Sequence, residues 1–258
     1  LRKRWKDNTE EERLLGVSLT GIMDNSILSR RRSTLPETLQ DMRQKAVTVN
    51  KEWSEKLGIP QSTAITCVKP SGTVSQLVDS ASGIHARHNP YYIRTVRGDK
   101  KDPLTEFMKD QGIPCEDDVM HPNNAVFSFP MKADSNAVFR DSMTAIEQLE
   151  IWKCYAEHWC EHKPSVTISV KEHEWINVGN WCWDNFDALS GISFLPFSDH
   201  TYQQAPYQDI DKATYEELAS KMPKNINWSE LSKFEKEDTT KGSQELACTA
   251  GSCELVDI

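Results

Sequence analysis

Thr63-Ala-Ile-Thr-Cys-Val-Lys-Pro-Ser-Gly-Thr-Val-Ser-Gln76 is the stretch that decides how the rest of the chain is read. Ala64 to Val68 is short, largely apolar and rich in β-branched side chains, the make-up of a buried strand. Pro70 ends it, because proline has no amide hydrogen for a ladder and biases Lys69 toward extended backbone. Ser71-Gly72-Thr73 follow, and Val74 to Val78 opens a helix. A strand, a small-residue turn and a helix start leave several backbone N–H groups unpaired at one point, which favours an anion there. The Ser71 and Thr73 hydroxyls add hydrogen-bonding capacity, and Gly72 lets a ligand approach the main chain closely. Taken by themselves, these residues read first as an ordinary helix cap, and the phosphate reading needs support from the rest of the chain.

Upstream, a helix is predicted over Leu35 to Leu57. Thr34 and Glu37 have capping-box spacing, and Pro36 is tolerated in the first turn. Leu39, Met42, Ala46, Val49, Trp53 and Leu57 recur at three and four, so they share a face, and Gly58 and Pro60 end the helix. Earlier still, Leu14 to Ile22 is an apolar element between charged segments. Downstream, His85, Arg87, His88, Arg94 and Arg97 make a cationic middle. Tyr91 to Val96 has strand composition, 98–124 is polar and turn-rich, and Ala125 to Phe129 is a further strand. Helices are predicted at 141–162, 173–189 and 212–221, with strands at 166–170 and 192–195. This alternation predicts an α/β fold with a largely parallel sheet or barrel. Beyond Pro223 large apolar groups become scarce, so 1–223 reads as the folded domain and 224–258 as a mobile tail.

The chain has 258 residues and a net charge of −9, which argues against a general nucleic-acid binder. A nest of amides can still hold phosphate on an acidic protein. No apolar run approaches the roughly 18 residues that span a bilayer, and the basic start is not followed by a signal-peptide core. The seven cysteines are an odd, scattered number in a chain too long to need staples, so a reducing, cytoplasmic setting is expected. A first residue of Leu suggests a piece of something longer.

Cys248 and Cys253, near the end, enclose Gly251 and can approach to disulfide distance. A redox pair, incidental thiols and half a metal site are all open for them; no metal site is assigned. A tail of about 30 flexible residues has an r.m.s. reach on the order of 30 Å, enough to carry thiols into a domain. His158-Trp-Cys-Glu-His162 formally matches an inverted zinc-protease motif but falls in a helix's last turn, where dipole effects favour cations, and no third ligand suggests itself. Arg30-Arg31-Arg32 reads as a solvated loop. Tyr91 and Tyr92, adjacent on a strand, point to opposite faces and read as packing.

Several segments together resemble the monomeric, adenosylcobalamin-dependent (class II) ribonucleoside-triphosphate reductases. They are Gly16-Val-Ser-Leu-Thr-Gly-Ile22, Lys69-Pro-Ser-Gly-Thr-Val-Ser-Gln76, Ser82-Gly-Ile-His-Ala-Arg-His-Asn-Pro-Tyr-Tyr-Ile-Arg94, Gln204-Ala-Pro-Tyr207 and the Cys248/Cys253 pair. The resemblance implies the C-terminal half of a ten-stranded α/β barrel followed by a flexible tail. It implies that Ser71, Gly72, Thr73 and Val74 hold the phosphates of a ribonucleotide. It also implies an adenosylcobalamin-initiated thiyl radical, and a Cys248/Cys253 dithiol that re-reduces an active-site disulfide and is itself reduced by thioredoxin or a similar dithiol. The radical cysteine, its carboxylate and the reducing pair are not found here, and Cys67 matches none of them. An N-terminal half, on the same or a separate chain, is therefore an expected partner, together with the ribonucleotide substrate; no membrane or nucleic acid is. Two rivals remain: a nucleotide-binding half-barrel without catalysis, and a thiol–disulfide carrier whose active element is the tail.

Overall fold

The computed structural model describes residues 2–29, 33–197 and 202–235. In chain order the elements are α1 (Lys3–Glu12), β1 (Val17–Ser18), α2 (Leu35–Leu57), β2 (Thr66–Cys67), α3 (Val74–Leu77) and β3 (Tyr91–Asp99). Then follow α4 (Pro103–Asp110), β4 (Cys115–Asp117), β5 (Asn124–Lys132), α5 (Ala145–His158), β6 (Val166–Val170), α6 (Trp175–Asp184), β7 (Ile192–Pro196), β8 (Tyr207–Asp209) and α7 (Lys212–Lys221). The chain divides into two compact units, one of residues up to Arg87 with Asn136–Phe197, the other of His88–Ser135 with the described residues after 201.

The first unit carries the quoted stretch. β1 pairs in parallel with β2, and β6 in parallel with β7. The run into β6 lies beside β2, with the Glu161 and His162 amides on Thr66 O at 2.9 and 3.0 Å and Ser165 N on Val68 O at 3.3 Å. Val166, Ile168 and Val170 alternate inward onto a core with Leu149, Trp152 and Tyr155 of α5, while Thr167 and Ser169 face the other way. Ile22, Leu35, Leu39 and Val68 belong to the same core.

The second unit is an antiparallel sheet in the order β4-β5-β3-β8. β3 and β5 pair over their full length, Tyr91 opposite Lys132 through Asp99 opposite Asn124. A largely parallel sheet was expected throughout, and here the expectation fails. The reason is local: β4 passes into β5 through a turn pinned by Asp118, whose carboxylate accepts from Met120 N and His121 N, and so short a link permits only antiparallel pairing. The expected half of a ten-stranded barrel is not confirmed; no closed barrel forms among the described residues.

Other departures have equally local causes. α4 was read as loop, yet Asp102 caps it by accepting from Leu104 N at 2.8 Å, and its Phe107 is fully buried. α5 spans 145–158 rather than 141–162: Thr144 and Glu147 form a reciprocal capping box at its start. The box expected at Thr34 is absent, because Thr34 already has helical dihedrals (φ −87°, ψ −11°), which leave its side chain uncommitted to the first turn. The predicted apolar face of α2 is buried only at Leu39, and Val49, Trp53 and Leu57 are exposed. Residues 228–233, read as tail, form a 3-10 helix whose Trp228 ring lies 5.4 Å from that of Phe107. Among the described residues no helix is long and apolar enough to cross a membrane.

Candidate functional site

The turn after β2 is built by its own side chains. Ser71 Oγ accepts from Ser75 N at 2.9 Å, closing the start of α3 from inside, and Ser71 N donates to Ser82 Oγ at 2.8 Å. Ser71 is thus engaged in holding the turn. The backbone N–H groups of Gly72, Thr73 and Val74 have no acceptor among the described residues. Thr73 and Val74 are exposed residues, and Gly72 is half-buried. Of the four residues expected at the site, the structure leaves three with main-chain donors to offer and makes the fourth their bracket.

Three of the sequence segments quoted above meet at this turn. From Gly16–Ile22, Ser18 Oγ accepts from Lys69 N at 3.2 Å, and Thr20 Oγ1 accepts from Gly83 N at 3.1 Å while donating to Ala81 O at 3.0 Å. Gly21 N donates to Ala81 O at 2.7 Å. Gly21 has φ +71°, a backbone that favours glycine. From the third segment, Gly83 presses on the turn so closely that a Cβ there would lie 2.7 Å from Lys69 O.

Behind the turn lies an ion network centred on the buried Arg87. Arg87, 6% exposed, donates from Nε to Asp24 Oδ1 at 2.9 Å and from Nη2 to Asp24 Oδ2 at 3.1 Å. It also reaches Asp79 Oδ1 at 3.1 Å and Asp79 O at 2.6 Å, just past the end of α3. Asp24 Oδ2 takes the Ala81 N–H as well, at 2.7 Å. One guanidinium therefore fixes both sides of the loop that leaves α3, the planar, bidentate task for which arginine is suited. Sequence reading counted Arg87 as one of a group of cations and passed over Asp24; nothing local marks either as paired, because their partners are 63 residues apart.

A cleft of about 580 Å³ adjoins the turn, lined by Pro70, Ser165 to Thr167 and Leu189 to Phe194. His85 ties its wall to the loop: Nδ1 lies 3.0 Å from Ser82 O, and Thr167 N donates to Nε2 at 3.1 Å. The carbonyl can only accept, so the ring is neutral with its hydrogen on Nδ1. Burial pushes its pKa below 6.5, against the opposing pull of the Ser82 carbonyl.

The residues of the formal zinc motif are dispersed. His158 Nδ1 meets Gln40 Nε2 at 3.0 Å, His162 Nε2 meets Leu15 O at 2.6 Å, and Glu161 accepts the amides of Ile65 and Thr66 at 2.9 and 3.2 Å. Glu161 is a cap for the start of β2. Among the described residues no group of three or more His, Cys, Asp or Glu is arranged to hold a metal ion. Tyr91 and Tyr92 do separate, Tyr91 against Tyr215 at 5.2 Å between ring centres and Tyr92 against Tyr207 at 5.7 Å. Gln204 is buried and bridges Val119 N, Glu116 and Asp117 O, so that segment serves the second unit's framework. Cys160 is buried beside Cys67, and burial pushes its thiol up to about 12, which leaves it unreactive. Cys248, Cys253 and Arg30 to Arg32 lie outside the described residues.

No family model matches the chain. It is similar to the adenosylcobalamin-dependent ribonucleoside-triphosphate reductase of Lactobacillus leichmannii, 26% identical over 276 residues that cover 95% of this chain and 37% of the relative. The Euglena gracilis protein of the same name is 29% identical over 96% of this chain and 35% of its own length. A probable adenosylcobalamin-dependent ribonucleoside-triphosphate reductase of Dictyostelium discoideum is 30% identical over 81% of this chain and 27% of its own length. A crystal structure of a B-12 dependent (class II) ribonucleotide reductase superposes with a TM-score of 0.78 and 24% identity, over 89% of this chain and 36% of that one. The resemblance read from the motifs thus extends over nearly the whole chain, and the solved structure shares its fold. The chain spans between about a quarter and little more than a third of the length of these relatives.

Proposed function

We propose that this chain acts in an adenosylcobalamin-dependent ribonucleotide reductase, where it holds the substrate's phosphates at Ser71, Gly72, Thr73 and Val74 and re-reduces the active-site disulfide through Cys248 and Cys253. The observation that carries the reading is the convergence of three motif segments on one turn whose Gly72, Thr73 and Val74 amides point at no protein acceptor, beside a cleft. Oriented amides are a sequence-independent grip on phosphate. The substrate is a ribonucleotide, a ribonucleoside triphosphate by the names of the relatives.

The residues divide the work by chemistry. Ser71 and Ser82 shape the turn; Gly72, Thr73 and Val74 donate main-chain hydrogens to phosphate oxygens; the Asp24–Arg87–Asp79 network holds the loop behind them. Adenosylcobalamin, when bound, supplies the initiating radical. Nothing in the lining of the cleft is an imidazole, thiol or carboxylate that would meet a cobalt ion, so no step here runs through the cofactor. Cys248 and Cys253 exchange with the disulfide left by substrate reduction: their two thiols become a disulfide, the active-site pair returns to two thiols, and thioredoxin or a similar dithiol then reduces the tail. The thiyl-forming cysteine and the reducing pair come from an N-terminal portion, on the same or another chain.

The test is reconstitution. With the N-terminal portion of a class II relative supplied, the reading predicts cobalamin-dependent formation of deoxynucleotide. Cys248→Ser is then expected to abolish thioredoxin-driven multiple turnover and leave a single turnover. Loss of the single turnover as well refutes the shuttle; no deoxynucleotide under any condition favours a binding module without catalysis.

A further inference from the structure

We propose that Lys69 is the cationic partner of the nucleotide's phosphate end, an assignment that rests on the reading of the Ser71–Val74 turn above and adds a charge to it. The Lys69 ammonium is held 2.5 Å from Lys163 O and 3.1 Å from Ser165 Oγ, both neutral acceptors. No carboxylate lies within ion-pair distance of it among the described residues. The cations nearby differ: Arg87 is on Asp24, and Arg43 lies 3.6 Å from Glu161. Lys69 is an exposed residue, so its charge is open to a ligand while its stem is held in place.

Its position is set from three sides. Lys69 N is bound to Ser18, its carbonyl lies under Gly83, and its side chain is tied to Ser165. Ser165 and Pro70 both line the cleft, so the ammonium stands at the cleft wall, one residue before the turn begins. A phosphate oxygen is a stronger acceptor for an ammonium than a carbonyl or hydroxyl, and the flexible stem of lysine lets the head exchange one for the other. The amides of Gly72 to Val74 supply direction, and Lys69 supplies net charge. A lysine that merely fastens β2 to β6 has a different signature, because its removal lowers stability without touching the salt dependence of anion binding.

The full 258-residue chain is titrated calorimetrically, at low and moderate salt, with inorganic tripolyphosphate, a ribonucleoside triphosphate and the unphosphorylated nucleoside. Lys69→Gln is expected to weaken both phosphate-bearing probes about tenfold or more, with a flatter salt dependence and no change for the nucleoside. Lys69→Arg is expected to keep most of the affinity, which guards against a folding defect, and Lys45→Gln on α2 to leave it unchanged. Unchanged phosphate affinity in a folded Lys69→Gln chain, or an equal loss in Lys45→Gln, overturns the assignment and leaves the turn's reading intact. Failure of the unmodified chain to bind either phosphate-bearing probe brings down the turn's reading, and Lys69 with it.

Discussion

His85 joins the loop after the turn to β6 through both ring nitrogens, and this sets a pH dependence. A proton added at Nε2 would oppose the Thr167 N–H, so the folded state resists it, as burial of the ring also does. The folded pKa lies below 6.5; the stability His85 contributes is therefore complete above 6.5 and is lost as pH falls from there through the folded value. Urea midpoints measured from pH 7.5 down to 5.5 should fall, and His85→Gln should flatten that fall; an equal slope in the variant contradicts the assignment. Glu161 acts lower on the scale. Burial by itself would raise its pKa, but the amides of Ile65 and Thr66 and the charge of Arg43 outweigh it, so its contribution is present above 4.5 and disappears as pH drops below. Arg87→Ala should cost about 1–3 kcal/mol in chemical denaturation, since it leaves the half-buried carboxylate of Asp24 without its partner. A loss under about 1 kcal/mol would mean water replaces the guanidinium. These roles are not legible in the sequence, because each depends on a partner far along the chain, Thr167 for His85, Ile65 and Thr66 for Glu161 and Asp24 for Arg87, and a lone His, Glu or Arg carries no mark of what it will meet. The turn itself was legible, because its chemistry depends on neighbours in sequence.

At the level of elements, local signals decided success. The strand at Val166–Val170 and the helices at Leu35–Leu57 and Lys212–Lys221 fall where periodicity and flanking breakers place them. Capping was a poorer guide, since Thr34 and Thr144 share the spacing and only Thr144 uses it. Thr144→Ala should therefore destabilise the first unit by about 0.5–2 kcal/mol, and Thr34→Ala by no more than a few tenths; equal effects on thermal unfolding contradict the geometry. α4 is not legible although Asp102-Pro103 is a helix-start signal, because the segment around it is mostly polar and its apolar anchors are few: Phe107, fully buried, and Met108, packed against Ile113, Ala125 and Phe127. The same ring explains why 228–233 is ordered as a helix: Trp228 and Phe234 both pack on Phe107, which gives a polar segment two apolar anchors.

For the whole molecule, helices mixed with strands are found as read, but the parallel sheet holds in the first unit and gives way to an antiparallel one in the second. Alternating helices and strands specify a parallel sheet only when each connection is a full crossover, and the link between β4 and β5 is too short to be one. The motif resemblance succeeded where periodicity did not, since it depended on turns and loops whose residues are fixed by contacts with one another: Ser18 with Lys69, Thr20 with Ala81 and Gly83, Gly21 with Ala81, and Ser71 with Ser82 make a set of bonds around the turn. That set is the frame of the proposed phosphate site, and it is complete within this chain. The most direct test is a crystal structure of the chain soaked with a ribonucleoside triphosphate. The account predicts phosphate density within hydrogen-bond distance of the Gly72, Thr73 and Val74 amides; a well-ordered nucleotide whose phosphates lie away from that turn would contradict it.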